Sequence, residues 1–315
     1  MRDLIGYGEN PPVVTWPHGA KVAVSVVLNY EEGAESSIEA GDERDEDVSI
    51  FGGWSADPSR RSLMKESFFE YGSRVGIWRF LGMLREYNVQ ATVMACGAAL
   101  ERNPDAALAM VRDGHEICAH GYKWRGTVGM EPDEERQEIR KSLAAVEAVS
   151  GVRPVGWYVR EGITENTRTI LAEEGVLYDS NSYADDLPYY VQAGPHRHLV
   201  VPYSGDTNDA RFWGNGSLGT GEDFFNVLKD SLDCLLVEGE TVPKMMSVGL
   251  HLRIGGRPSV AHGVRRFLEY ALSKQGVWFA TREEIARWWM EHPPVPADPL
   301  QSDTVAAAAA FEGAA

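Results

Sequence analysis

The chain alternates short apolar runs with segments whose apolar residues recur at helical spacing. Lys21 to Tyr30 (KVAVSVVLNY) is β-branched and nearly continuous, the pattern of a strand covered on both faces. Ile77 to Tyr87 sets Ile77, Phe80, Leu81 and Leu84 on one helical face. A strand over Gln90 to Gly97 follows, then a helix opened by Asn103 and Pro104 and closed by Gly114. His115 to His120 (HEICAH) reads as the next strand. Further strands are expected over 155–159, 176–179, 198–203, 245–252 and 277–280, with helices over 131–150, 164–174, 222–238, 260–273 and 282–290. Repeated βα units require a parallel sheet, and about seven in one chain predict an α/β fold, a closed or nearly closed (β/α) barrel spanning residues 1–300 as a single catalytic domain.

Two stretches interrupt the alternation. Glu31 to Arg61 is rich in Glu, Asp, Gly and Ser, far beyond the roughly 2–6 residues of an ordinary βα loop. It reads as an acidic insertion near 33–61: either a lid over the carboxyl ends of the strands or a disordered, solvated loop. Residues 301–315 form a low-complexity tail, expected to be frayed. Composition adds exclusions. With 30 Lys plus Arg against 47 Asp plus Glu the net charge is −17, which repels phosphate backbones and anionic membranes, so neither nucleic acid nor membrane is an expected partner. Three cysteines, Cys96, Cys118 and Cys234, are too scattered for a disulfide framework or a cysteine metal cluster. No segment approaches the roughly 20 apolar residues of a membrane span, and the opening residues lack the apolar run of a signal peptide, which leads to the expectation of a cytoplasmic protein.

In parallel βα folds the chemistry gathers at the carboxyl ends of the strands. The polar residues that end the apolar runs are Glu31 and Glu32, His120, Tyr158 and Arg160, Asp179, Asp206, and His251 with Arg253. Two adjacent carboxylates in a confined rim do not both ionise cheaply, so one is expected to rise toward general-base range, unless the pair is simply an acidic turn. His120 and His251 suit a metal ligand, a water-positioning group or a proton donor, with a structural histidine as the alternative. Arg253 and Arg257 suit a carboxylate or ureido carbonyl, against surface salt bridges. His115 opens its strand and is expected at the barrel bottom in a structural role. Asp185-Asp186 fits an Asx-type turn before Pro188. Trp78, Trp278, Trp288 and Trp289 are read as packing.

At these residues the chain resembles a known family. NYEEG (29–33), GHEICAHGYKW (114–124), RPVGWY (153–158), YDSNSYADDLPY (178–189) and GLHLRIGGRP (249–258) are similar to the polysaccharide deacetylase superfamily. DLIGYGENPP (3–12), ESFFEYGSRVGIWR (66–79) and VPYSGDTNDARF (201–212) resemble its cofactor-independent bacterial allantoinases. The resemblance implies a deformed (β/α) barrel that hydrolyses non-peptide C–N bonds and a homo-oligomer, a tetramer. The deacetylases' Asp-Asp pair, base then metal ligand, falls at Glu31-Glu32, and their two ligand histidines fall at His120 and Trp124. An indole N–H only donates, so Trp124 is no ligand, and the expectation is catalysis with no metal and no other cofactor. The deacetylases' arginine after the third strand falls at Tyr158, with Arg160 the nearest substitute. The implied substrate is a small cyclic ureide or imide, with an N-acetyl sugar as the alternative. Glu31 is cast as the base and His251 as the acid, Glu32 and His120 as holders of water or ring, and Trp124, Tyr158, Arg160, Arg253 and Arg257 as substrate-binding residues.

Overall fold

The computed structural model describes residues 3–48, 57–212 and 217–294. Its strands are β1 (Val22–Tyr30), β2 (Thr92–Ala95), β3 (Glu116–Ala119), β4 (Gly156–Trp157), β5 (Tyr178–Asp179), β6 (Tyr189–Ala193), β7 (His196–Val200), β8 (Lys244–His251) and β9 (Val277–Phe279). Its helices are α1 (Leu63–Tyr71), α2 (Ile77–Tyr87), α3 (Gly97–Arg102), α4 (Pro104–Arg112), α5 (Pro132–Ser150), α6 (Thr167–Glu173), α7 (Gly221–Glu238), α8 (Pro258–Leu272) and α9 (Arg282–Glu291). The strands form one curled sheet in the order β6-β7-β5-β4-β3-β2-β1-β8, with β9 paired to the first residues of β1. All pairings are parallel except the β6–β7 hairpin. Within the described residues a helix follows every parallel strand except β5, where the hairpin takes its place, so the expected count of seven βα units holds.

Among the described residues no strand closes the gap beside β8. Instead the Met245 amide donates to the Asp186 carbonyl at 2.9 Å, the Gly249 amide donates to the Thr207 carbonyl at 3.0 Å, and Asn208 forms a parallel bridge to Gly249. The barrel is thus sealed by the segments on either side of the hairpin.

Alternation along β1 separates two apolar layers. Val22, Val24, Val26, Leu28 and Tyr30 pack outward with Phe69, Phe80, Leu84 and the other helix residues. Ala23 and Val27 point inward with Met94, Cys118, Tyr178 and Leu199. The barrel floor is polar: Arg282, at the start of α9, is wholly buried and donates to the Ser180 and Ser247 hydroxyls, each at 2.8 Å, and to the carbonyls of Val201 and Pro202. Beside it Glu116 accepts from Tyr178 and Thr92, both at 2.6 Å. Each buried polar group of this plug finds a partner, as burial demands.

Several expectations shift. Residues 33–48 and 57–61 of the acidic insertion form bonded turns: Asp45 accepts from the amides of Ile38 (2.9 Å) and Ser62 (2.8 Å), and Asp42 pairs with Lys123. The disordered reading therefore fails for these parts; residues 49–56 and the expected tail lie outside the described residues. The strand β6 was not foreseen, because its half-exposed residues give no apolar run; its signal is the two-residue turn Gly194-Pro195, with Gly194 at φ 58°. β7 begins at His196, two residues before the expected start at 198, and the wholly buried Asp179 binds Arg168 at 2.8 Å. Trp78 is 42% exposed and is not core packing. His115 takes the position expected of it, its Nδ1 accepting from the Ala91 amide at 3.1 Å. Asp185 forms the Asx turn to the Leu187 amide at 3.0 Å.

Between α1 and α2 the helix widens into one π segment, Gly72–Gly76, and both end glycines are contact points. A Cβ on Gly76 would overlap the Leu252 carbonyl oxygen, a backbone atom that cannot turn aside. Gly76→Ala should therefore destabilise the protein by about 1–3 kcal/mol. Gly82→Ala, at an exposed position of α2 with open space around it, should stabilise by about 0.5–1 kcal/mol. Denaturant midpoints of the two variants moving in the same direction would contradict this packing.

Candidate active site

The inward register carries straight into the site. One step past β1, the Ala23–Val27 side leads to Glu31 and the helix side to Glu32. The same inward side of β3 leads from Cys118 to His120, and that of β8 leads from Met245 to His251. Three strands therefore deliver Glu31, His120 and His251 to one point at their carboxyl ends. Glu31 Oε1 lies 3.3 Å from His120 Nε2 and 3.6 Å from His251 Nε2. Glu32 turns outward: a Cβ on Gly72 would overlap its carboxylate, so the π segment makes room for it.

Arg253 separates the two carboxylates electrically. It has no exposed surface, and its Nη1 donates to Glu31 Oε2 at 2.6 Å and to Glu32 Oε1 at 3.3 Å, while its amide also reaches Glu32 at 3.2 Å. Burial would push Glu31 up, but Arg253, His251 and His120 hold it well below the usual carboxylate range. Glu32 goes the other way: burial, aided by the Glu31 charge and opposed by Arg253, pushes it up to about 7. One member of the pair does rise, as expected, but it is Glu32, which faces the helix, while Glu31 stays ionised at the centre.

His251 is backed by a residue that the reading of strand ends passed over. Asp209 is wholly buried, accepts the His251 amide at 2.8 and 2.9 Å, and binds Nδ1 at 2.7 Å. A carboxylate there fixes Nδ1 as the N–H donor and turns Nε2 toward Glu31. Burial pushes His251 down, yet Glu31 and Asp209 raise it above its ordinary value. Asp209 lies in the run VPYSGDTNDARF, three residues after Asp206, and its short helix, Asp209–Phe212, packs against β8. His120 hydrogen-bonds the Tyr158 carbonyl through Nδ1 at 3.1 Å, so its ring is held from the end of β4. Tyr158 and Tyr203 stand beside it, ring centres 5.2 Å apart, and Asn29 donates to the Tyr203 hydroxyl at 3.0 Å.

The other expected residues group differently. Trp124 is buried in the wall, with the guanidinium carbons of Arg160 and Arg253 at 3.7 and 4.6 Å from its ring centre. Arg160 pairs with Glu46 at 3.0 Å and Glu161 at 2.9 Å. Arg257 donates to the Arg253 carbonyl at 3.2 Å and stacks on Tyr71 at 3.7 Å, so it braces Arg253 from behind. Arg253 is not a surface ion pair: it is wholly buried and its charge is bound to Glu31 and Glu32.

Comparison with known proteins now fits this geometry. A Schizosaccharomyces pombe protein named "Putative polysaccharide deacetylase" is 38% identical, covering 93% of this chain and 98% of its own. The chain belongs to the polysaccharide deacetylase family. The family model for polysaccharide deacetylase matches residues 66–178, which include His120 and Trp124 but neither Glu31 nor His251. Two solved structures are similar over 93% of the chain, each with a TM-score of 0.87. One is a "probable Polysaccharide deacetylase" of Pseudomonas aeruginosa PAO1, 46% identical over 99% of its length, and the other is Puue allantoinase, 44% identical over 98%. Members of the family are hydrolases of non-peptide C–N bonds, and this chain is an enzyme of that class. The sheet is the deacetylase-type (β/α) barrel.

The donor set at the deacetylases' metal position does not fit a cation. Glu32 turns to the π segment, Trp124 offers only an N–H, and the guanidinium of Arg253 already sits on both carboxylates. Among the described residues no three His, Cys, Asp or Glu side chains gather as ligands, and no helix is long and apolar enough to cross a membrane.

The raised Glu32 makes stability depend on pH. Its folded pKa of about 7 exceeds the ordinary 4.5, so the native state keeps a proton that the unfolded chain has released. The stability this gives is complete below about 4.5 and is lost as pH rises through about 7. Glu32→Gln carries no such proton, so its melting temperature relative to the wild type should climb between pH 5 and 8. A constant difference across that range would remove Glu32 as the titrating group.

Proposed function

We propose that the enzyme opens a cyclic ureide by hydrolysing a ring C–N bond, an allantoinase-type reaction run by side chains without a metal. One observation carries this reading: an imidazole and a carboxylate face each other at the strand ends, with His251 backed by Asp209 and Glu31 backed by Arg253, Nε2 and Oε1 3.6 Å apart. The 44% identity to Puue allantoinase supports the choice of ring substrate.

Water beside Glu31 and His120 attacks the ring carbonyl carbon and gives its proton to Glu31 Oε1. The carbonyl electrons return as the C–N bond breaks, and the ring nitrogen leaves with the proton of His251 Nε2. Glu31 then passes its proton back to His251, which restores both groups. The acid must hold a proton at neutral pH and the base must have lost one, the states that Asp209 and Arg253 favour. Asp209 also holds the imidazole against rotation, so Nε2 is the only ring nitrogen offered to substrate.

Glu31→Gln should lower kcat roughly 10²–10⁴-fold on allantoin. Turnover should survive exhaustive chelation. The wild-type kcat/KM should fall as pH rises through the elevated pKa of His251, and on the acid side only below the ordinary glutamate range. Loss of turnover on chelation, restored by zinc, would overturn the metal-free mechanism. Deacetylation of N-acetyl sugar oligomers with no ring opening would replace the substrate class. We also assign a cytoplasmic homotetramer; light scattering at the 34.8 kDa of a single chain would reject the assembly.

A further inference from the structure

We infer that Glu46 and Arg160 are positioning residues, which act through the Trp124 ring to hold Arg253 on Glu31. The inference rests on the reading that Glu31 and His251 carry the chemistry. The contacts run in one line from the acidic insertion to the site. Glu46, in the insertion, binds Arg160 Nη1 at 3.0 Å, and Glu161 binds Nη2 at 2.9 Å. The Arg160 guanidinium lies 3.7 Å from the centre of the Trp124 ring, and the Arg253 guanidinium lies 4.6 Å from the same centre. Arg253 then donates to Glu31 Oε2 at 2.6 Å.

Two guanidinium groups over one indole would repel one another if either charge stood alone. Glu46 and Glu161 neutralise one and Glu31 with Glu32 the other, so both settle on the electron-rich ring. Trp124 is itself fixed to the root of the insertion, its amide donating to the Ala34 carbonyl at 2.9 Å. The indole is therefore a fixed plate, set by the insertion, against which Arg253 is pressed. Arg160 has both terminal nitrogens on carboxylates, which makes it a brace rather than a ligand for a substrate carbonyl. A small displacement of Arg253 alters the charge on Glu31 and, through it, His251.

The test compares Arg160→Met, Glu46→Gln, Trp124→Leu and Trp124→Phe with the wild type. Arg160→Met, Glu46→Gln and Trp124→Leu should each lower kcat roughly 10-fold with KM within about 2-fold, and Trp124→Phe should lose less, because a ring remains. The second readout needs no substrate: the His251 resonance, assigned with His251→Gln, is titrated by NMR. The charged groups facing His251 are Glu31, Asp209 and Arg253, and Arg253 lowers its pKa, so slackening Arg253 should move the titration to higher pH. An increase in KM with kcat unchanged would make Arg160 a substrate contact and overturn the inference. So would a His251 titration that stays in place in Arg160→Met and Glu46→Gln. If the wild type opens no cyclic ureide the chemical reading fails, while the titration still decides the brace.

Discussion

A guanidinium with no exposed surface, clasped by two adjacent glutamates, is the constraint on which the site depends. Taking away the charge of Arg253 or of Glu31 leaves its partner buried without compensation, at a cost of about 3–5 kcal/mol. Neither glutamate can therefore change without disturbing Arg253, and Arg253 determines what each glutamate does. It keeps Glu31 ionised where three strand ends meet. Glu32, on the far side, is left to the helix, and the π segment between α1 and α2 follows: glycine at position 72 clears the space that its carboxylate fills. The backbone between α1 and α2, a feature of the fold, is shaped here to fit a side chain of the site.

The family resemblance assigns a second histidine to the position of Trp124. Here the indole supplies a surface for the Arg253 guanidinium rather than a lone pair. An arginine side chain brings its own tether and planar shape, so its position is set by packing against Phe69 and Trp124. An ion in its place would take its position from ligand distances alone.

Much of this was legible in the sequence because it lies in periodic strands. The two-residue alternation of β1 alone separates Glu31 from Glu32, and the strand ends locate His120 and His251 without any structure. Asp209 was not legible: it sits on a one-turn helix after a loop, 42 residues from its partner, and nothing local marks it apart from Asp206. The burial of Arg253 was equally hidden, since an arginine two residues past a strand reads as surface until its carboxylates are known to turn inward. The β6–β7 hairpin escaped because its half-exposed residues carry no run of either period, and Trp78 misled because the helical spacing of its neighbours says nothing of which face it shares.

The seam beside β8 deserves its place in this account for what it carries. Thr207 and Asn208, which close the barrel against Gly249, stand directly before Asp209. The chain that seals the sheet is thus the chain that holds the carboxylate behind His251. Any breathing of the barrel at that edge would withdraw Asp209 from His251 in the same movement. An intact seam and a fixed orientation of the His251 ring are then a single condition.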